Sequence, residues 1–279
     1  MGIYNSKGEE VGTKAESDYP KARWVRCLHR GRWGRQGGTT AEYVVPENTA
    51  PAFYLAGAEG SGWECDMQHC SDGVIVMGHN TPLEGTLDGE SITDRIDQTA
   101  YSVVSRVIRQ SNHPVYGDIK YCRLEDCLKI AYFFGVDIVL ENKAYGAWGE
   151  TAELAAHAVV KAGMSGHVMY NGGSATMYRN ILAIDPKARF HFGYDVEVDT
   201  TIFTPDHIVR TVGASVVTDE IVSTIKAEGS FLYIWSVNAS NYATAMSFRP
   251  DYMEFTDNID GKALTENYVA SQRFVNADI

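Results

Sequence analysis

The chain has 279 residues, 44% of them hydrophobic and 22% charged, a composition typical of a globular protein with a large core. Its formal net charge of -12 argues against a nonspecific nucleic-acid binder, because affinity for a phosphate backbone comes largely from lysine and arginine. No apolar run approaches the ~20 residues of a membrane-spanning helix, and no apolar stretch of a signal peptide is present.

The predicted elements begin after a polar stretch, residues 1–22, which has no helical or strand period and is expected to be a leader or linker. A single barrel domain is expected over residues 23–260. Residues 261–279 form a C-terminal extension, either a closing helix or an oligomer contact, and the oligomeric state stays unknown. Localisation also stays open, between the cytoplasm and an excised or otherwise exported domain.

Short apolar strands alternate with helical patterns along the barrel domain, which favours a single (β/α)8 TIM barrel. A small β-hairpin around a Ser-Asp-Gly turn is expected to extend strand two beyond the barrel rim. The predicted strands are residues 24–29, 62–67, 137–142, 166–171, 189–194, 213–218, 232–237 and 251–256. The predicted helices are residues 48–59, 93–110, 124–134, 149–163, 174–183, 205–211, 219–228 and 239–247.

Three carboxylates fall at neighbouring strand ends, where the active sites of such barrels lie. Glu64 and Asp66 are two apart on a strand and therefore share a face, and Glu141 ends the next strand. Three such carboxylates would repel each other without a cation, and an all-oxygen set suits Mg²⁺ or Ca²⁺ better than zinc. The sequence predicts one divalent cation here, with a surface salt-bridge cluster involving Arg30 and Lys143 as the alternative.

Two histidines, His29 and His79, are predicted to converge on this cluster. An unperturbed imidazole titrates near neutrality, so the pair can act as the acid and the base that phosphodiester hydrolysis needs. For each histidine alone, a structural role is the alternative. Arg30 offers a planar fork and Lys143 a point charge for phosphate oxygens. These residue types together predict a phosphodiester substrate.

The segments that carry these residues resemble the glycerophosphodiester phosphodiesterase family in order and spacing over about residues 24–260. The resemblance implies a (β/α)8 barrel that uses Mg²⁺ or Ca²⁺ to split glycerophosphodiesters into glycerol 3-phosphate and an alcohol. The segments are LHRG (28–31), PENT (46–49), WECDMQHCSDGVIVMGHN (63–80), VLENK (139–143), YIWSVN (233–238) and FTDN (255–258).

Site roles follow from the resemblance by position. It implies His29 and His79 as acid/base residues, Glu64, Asp66 and Glu141 as metal ligands, and Arg30 and Lys143 as phosphate ligands. It also implies Glu47 as a carboxylate beside the metal site or an additional ligand. Trp235 is implied as an aromatic wall of the glycerol pocket, although the residues alone favour a core tryptophan.

The chain departs from the family pattern after its second histidine. The family usually has aspartate there, whereas this chain has Asn80, which removes a charge and leaves the orientation of His79 open. The stretch from Asn80 to Arg123 has no room for the separate domain that some members insert there, so an open site is expected.

The segment between Gly31 and Pro46 is longer than the family's usual link. We hypothesise that its Arg32, Trp33 and Arg35 help to hold an extended polyanion such as a glycerol-phosphate teichoic acid, with a solvated loop as the alternative. Two other functions stay open: a sphingomyelinase-type phospholipase D that forms a cyclic phosphate, and a catalytically silent phosphate- or glycan-binding barrel.

Overall fold

The computed structural model describes residues 2–4, 10–13, 25–34, 44–144 and 148–256. The strands in these ranges are β1 (Gly2–Tyr4), β2 (Glu10–Thr13), β3 (Val25–Leu28), β4 (Gly62–His69), β5 (Ile75–Met77), β6 (Thr86–Leu87), β7 (Glu90–Ser91), β8 (Ile108–His113), β9 (Gly117–Lys120), β10 (Ile138–Asn142), β11 (Val168–Asn171), β12 (Arg189–Gly193), β13 (Ile208–Gly213), β14 (Phe231–Val237) and β15 (Tyr252–Phe255). The α-helices are α1 (Ala50–Ala58), α2 (Tyr101–Val104), α3 (Leu124–Phe134), α4 (Trp148–Lys161), α5 (Ala175–Ile184), α6 (Asp219–Glu228) and α7 (Tyr242–Ser247).

Eight of the described strands close into a parallel barrel, as predicted. Around the barrel they stand in the order β3, β4, β10, β11, β12, β13, β14 and β15, and β15 pairs with β3 to complete the circle. Helices such as α6 connect consecutive strands. Its N-cap Thr218 accepts from the Ile221 N–H at 3.3 Å, and Gly229 ends it with φ 75°.

The residues inside the barrel determine which side chains line its mouth. Successive side chains of a strand point to opposite faces, so a residue two places beyond an interior one lies at the carboxyl end of the barrel. The interior cluster contains Cys27, Val139, Met169, Val209, Tyr233 and Tyr252. Two residues beyond four of these lie His29, Glu141, Trp235 and Glu254.

The chain between β4 and α3 forms a hairpin and a second, smaller sheet. The predicted hairpin is confirmed, since β5 pairs antiparallel with β4. The helix predicted over residues 93–110 is wrong: the chain there makes a 3₁₀ turn at Ile96–Gln98, the single turn of α2 and the start of β8. Within the stretch from Asn80 to Arg123, strands β7, β6, β8 and β9 form the small sheet in that order. The expectation of an open site stays a prediction.

A shifted boundary follows β12. The helix predicted over 205–211 is only the 3₁₀ turn Pro205–His207, and the strand predicted over 213–218 lies earlier, at Ile208–Gly213. Thr204 and Pro205 resemble a helix start but cap only this short turn. Arg210 obscured the buried strand in the sequence; its guanidinium is buried because Glu228 neutralises it at 2.9 Å.

The described residues do not test the predicted domain boundaries at either end of the chain. Strands β1 and β2, within the stretch expected as a leader, pair antiparallel. The predicted extension, residues 261–279, lies outside the described residues. None of the helices in the described ranges has the length and apolar composition needed to cross a membrane.

The turn after β3 provides a test of how tightly α1 packs beside the barrel mouth. Gly31 has φ +81°, and an added Cβ would lie 3.0 Å from both the Ala52 carbonyl carbon and the Phe53 ring. Gly34 has φ +70°, but no described atom lies within 4 Å of its added Cβ. Both alanine variants share the left-handed backbone penalty of about 1–2 kcal/mol. Crowding should lower the free energy of unfolding of Gly31→Ala by about 1–3 kcal/mol more than that of Gly34→Ala. Thermal unfolding should therefore give a lower Tm for Gly31→Ala. Equal Tm values would refute the close packing.

Candidate active site

Three carboxylates meet at the carboxyl ends of adjacent strands. Parallel pairing sets Asp66 of β4 opposite Glu141 of β10, and Glu64 lies on the same face of β4. One oxygen from each residue lies within 4.8 Å of the others. Glu64 is 2% exposed and Asp66 1%, so a surface salt-bridge cluster does not describe this pair.

The donor set fits a hard divalent cation. Glu64 Oε1 and Asp66 Oδ1 are buried without a hydrogen-bond partner in the part of the chain that the structure describes. Burial raises the pKa of Glu64 well above its ordinary value, and the neighbouring carboxylates, Asp66 first, raise it further. A cation coordinated by these oxygens would satisfy both orphaned atoms and offset the repulsion.

Lys143 and Arg30 stand beside the cluster as predicted. The Lys143 ammonium donates to Glu141 Oε1 at 2.7 Å and lies 3.8 Å from Asp66 Oδ1, too far for a hydrogen bond. Arg30 Nε lies 3.2 Å from Asp66 Oδ2, and its Nη1 donates to both oxygens of Glu47, at 3.0 and 2.9 Å. The two cations neutralise part of the cluster and provide donors for a phosphate group.

The segment PENT supports the site in two ways. Glu47 binds Arg30 and is not part of the three-carboxylate cluster, so its contacts favour orientation of the guanidinium over metal ligation. Asn48 is fully buried and clamps Asp66, donating Nδ2–H to Oδ2 at 2.8 Å and accepting the Asp66 N–H at 3.0 Å. The sequence reasoning missed Asn48, although its place beside Glu47 was a usable signal.

His29 lies against the carboxylate cluster. Its Nε2 is 3.9 Å from Glu64 Oε2, and its backbone N–H donates to the Phe255 carbonyl at 3.1 Å. The Trp33 indole donates to the His29 carbonyl at 3.1 Å, so this tryptophan anchors the turn after β3. His29 therefore lies beside the carboxylate cluster, where the sequence predicted it.

His79 follows β5 at the end of the hairpin. Its Nδ1 lies 3.0 Å from Asn80 Oδ1. Buried Gln68 supports the backbone here, because its amide donates to the carbonyls of Gly78, His79 and Asn80 at 2.8, 3.2 and 2.8 Å. Positive charge on His79 opposes the rise that burial causes in the pKa of Asp66. The Gly78 N–H donates to the Asp66 carbonyl at 2.8 Å, so the hairpin sets His79 next to the strand that carries Glu64 and Asp66.

Glu254 is a fourth carboxylate that the sequence reasoning missed. It lies on β15 and accepts a hydrogen bond from the Tyr233 hydroxyl at 2.7 Å. Burial raises its pKa, positive charge on His29 opposes that rise, and Glu141 adds to it. The alternation along DYMEFT carried a signal, since Glu254 shares a face with the interior residue Tyr252.

Trp235 is not a core residue. It is 46% exposed at the end of β14, on the same strand face as the interior residue Tyr233. The strand register shifts between Ile234 and Val237, where Ser236 has φ 58°. The core alternative is wrong, and a role of Trp235 in walling a pocket at the mouth stays a prediction.

Arg32, in the loop after β3, is paired with a carboxylate away from the site. Arg32 Nε lies 2.7 Å from Glu59 Oε1, and Arg26 binds the same carboxylate at 3.2 Å. Glu59 follows α1, three residues before β4 begins, so Arg32 points toward the amino end of the barrel and away from the carboxylate cluster. The ion pair with Glu59 argues against the hypothesised polyanion role of Arg32, which stays a prediction, and Arg35 lies outside the described residues.

Comparison with known proteins gives a consistent result. The model of the glycerophosphoryl diester phosphodiesterase family matches residues 29–172, about half of the chain. No curated protein matches the sequence. Solved structures with a similar fold include a Silicibacter pomeroyi protein assigned as a glycerophosphoryl diester phosphodiesterase (TM-score 0.68, 19% identity, 89% of this chain and 94% of that one).

Two further structures have the same architecture. A glycerophosphodiester phosphodiesterase of Agrobacterium tumefaciens has a TM-score of 0.64 and 20% identity, over 83% of this chain and 96% of that one. An Oleispira antarctica phosphodiesterase in complex with the product sn-glycerol-3-phosphate has a TM-score of 0.64 and 20% identity, over 83% and 92%. At these identities the structures support the fold.

Glu64→Gln tests whether the buried carboxylates destabilise the metal-free protein. The pKa of Glu64 is higher in the folded than in the unfolded chain. Above the ordinary glutamate value the folded state therefore binds the extra proton, and stability falls as pH rises toward the raised pKa. In EDTA, the Tm of the parent should fall with rising pH, above the ordinary glutamate value, more steeply than that of Glu64→Gln.

Added Mg²⁺ or Ca²⁺ should raise the parent Tm and leave Glu64→Gln less affected, because a ligand of the folded state stabilises it. The control is Glu125→Gln, which changes an exposed carboxylate on α3. If Glu64→Gln kept the parent's pH slope and its response to cations, the buried cluster would not be the source of either.

Proposed function

The chain belongs to the glycerophosphoryl diester phosphodiesterase family and is a phosphoric diester hydrolase, and from that premise we propose that His29 and His79 carry the proton transfers of glycerophosphodiester cleavage. The observation that carries the proposal is the cluster of Glu64, Asp66 and Glu141, whose donor atoms lie within 4.8 Å, with both histidines beside it. The products would be glycerol 3-phosphate and an alcohol.

The metal ligands in this proposal are the three clustered carboxylates, Glu64, Asp66 and Glu141. Their hard oxygen donors, with two orphaned oxygens, favour one Mg²⁺ or Ca²⁺ over zinc. When bound, the cation would supply positive charge that polarises a phosphoryl oxygen and acidifies a bound hydroxyl. Asn48 would keep Asp66 in position, because it clamps both the carboxylate and the backbone of that residue.

The chain's own cations bind and orient the phosphate in this proposal. Arg30 is held by Glu47, so its guanidinium is ordered before substrate arrives and loses little freedom on binding. Lys143 adds a second positive charge next to Glu141 and Asp66. Both offset the charge that grows on the phosphoryl oxygens in the transition state. Trp235 would provide an apolar face for the glycerol carbons.

Proton transfer balances between the two imidazoles. One histidine accepts the proton of the attacking hydroxyl, from water or from the substrate's glycerol, while the other donates a proton to the departing alkoxide. Each positioned transfer contributes typically about 10²- to 10⁴-fold. The phosphorus–oxygen bond to the alcohol breaks as the new bond forms.

We favour small glycerophosphodiesters over a polymeric substrate such as teichoic acid. The Arg32 guanidinium is ion-paired with Glu59, so it does not extend a positively charged surface at the barrel mouth. The small sheet of β6 to β9 also lies near His79, since Arg109 of β8 binds Glu84, and Glu84 accepts from Asn80, the residue after His79.

Hydrolysis of glycerophosphocholine tests the proposal. The parent protein should release glycerol 3-phosphate with Mg²⁺ or Ca²⁺ and lose activity in EDTA. His29→Ala and His79→Ala should each lower kcat by about 10²- to 10⁴-fold, because each removes one proton transfer. His157→Ala, an exposed position on α4, is the control and should leave kcat unchanged.

Phosphorus NMR of the products separates the remaining alternatives. A cyclic phosphate as the final product would favour the phospholipase D type of reaction. Activity that survives both chelation and His29→Ala would refute the mechanism.

A further inference from the structure

His79 begins a hydrogen-bonded series that leads out of the barrel into the small sheet. Its Nδ1 lies 3.0 Å from Asn80 Oδ1, and the Asn80 amide nitrogen donates to Glu84 Oε1. The other carboxylate oxygen, Oε2, accepts from Arg109 Nη2 at 2.8 Å. The residue that replaces the usual acidic neighbour of the histidine is thus linked to a carboxylate four residues later.

Donor and acceptor chemistry fixes the direction of each bond in this series. Glu84 is ion-paired with Arg109, and a carboxylate can only accept, so the NH₂ group of Asn80 must face it. The Asn80 carbonyl oxygen therefore faces the imidazole and can only accept. The His79 ring must then carry its proton on Nδ1, which leaves Nε2 as the atom that exchanges a proton with the substrate.

Glu84 is held in place from several sides. Its backbone N–H donates to the Tyr121 hydroxyl at 2.7 Å, and the Arg109 guanidinium stacks 5.2 Å above the Tyr121 ring. The Arg109 side chain is only 7% exposed, and its Nη1 donates to the Glu47 carbonyl. A buried cation thus fixes Glu84 and joins it to the segment that orders Arg30.

We propose that Glu84 is a positioning residue of the reaction: held by Arg109, it acts through the Asn80 amide to orient His79 and to select its Nδ1–H tautomer. Glu84, in the segment before β6 and five residues beyond His79, then supplies the negative charge that Asn80 lacks. The inference deepens the proposed function and rests on it for the role of His79, but the tautomer itself does not depend on activity.

Nitrogen-15 NMR of histidine-labelled protein measures the tautomer directly. The His79 signals are assigned by their loss in His79→Asn. At a pH where the ring is neutral, we expect protonated Nδ1 and unprotonated Nε2 in the parent. Glu84→Ala should shift the population toward Nε2–H, because the freed Asn80 amide can rotate. An unchanged tautomer in Glu84→Ala would overturn the proposal.

A swapped pair provides the kinetic test. Asn80→Asp alone sets two carboxylates against each other and should lower kcat. In Asn80→Asp with Glu84→Gln, the glutamine amide can donate to the new carboxylate, which then accepts directly from His79 Nδ1, so most of the lost kcat should return. Glu84→Ala should lower kcat by about tenfold, within the range seen for lost partners of functional histidines, with KM little changed.

Controls separate positioning from folding. Asp88→Ala removes a carboxylate that is also paired with an arginine of this region, Arg106, but that does not reach His79; it should keep the parent kcat and tautomer. Glu84→Gln keeps an acceptor for Asn80 and should keep the Nδ1–H tautomer, so it separates loss of this hydrogen bond from loss of stability if Glu84→Ala lowers the Tm strongly. A double variant no more active than Asn80→Asp would contradict the proposal.

The tautomer measurement and the kinetic measurement together distinguish failure of the positioning proposal from failure of the proposed function. A tautomer that depends on Glu84 in a protein without diesterase activity would refute the proposed function and leave the positioning intact. Full diesterase activity in Glu84→Ala with an unchanged tautomer would refute the positioning role of Glu84 and leave the proposed function intact.

Discussion

Burial of carboxylates at the ends of paired strands is the constraint on which the rest of the site depends. The register of β4 with β10 sets Asp66 against Glu141, and strand alternation adds Glu64 to the same face. Glu64 and Asp66 are both buried, and burial raises the pKa of Glu64 well above its usual range. A barrel folded for stability alone would place apolar side chains at these positions.

Neighbouring side chains hold the carboxylates of this cluster in place through hydrogen bonds and ion pairs. Asn48 clamps Asp66, and Arg30 lies between that carboxylate and Glu47. Arg30 and Asn48 both have φ near +60°, a backbone conformation that is unfavourable for residues with a Cβ. The side-chain contacts of both residues with Asp66 hold them in this conformation. Arg109 extends the same network to Glu84, so the small sheet and the barrel mouth are joined through polar contacts.

Strand-end chemistry was predictable from the sequence because it depends on local alternation and on the order of a few segments. His29, Glu64, Asp66, His79 and Glu141 therefore lie together as predicted. The small sheet was not predictable, because its short strands are stabilised by contacts distant in sequence, such as Tyr121 with Glu84. Glu254 was missed because it lies inside the strand predicted over residues 251–256, and the segment FTDN that drew attention begins one residue later. The opposite error occurred at Trp235, where an aromatic residue was expected inside.

The most direct test of the central claim is to locate the cation. Crystals grown with Mn²⁺ in place of Mg²⁺ or Ca²⁺ would be measured at a wavelength where manganese scatters anomalously. We expect one strong anomalous peak coordinated by oxygens of Glu64, Asp66 and Glu141, and no such peak in crystals of Glu64→Gln. A peak elsewhere in the barrel, or none at these carboxylates when Mn²⁺ supports activity, would contradict the account.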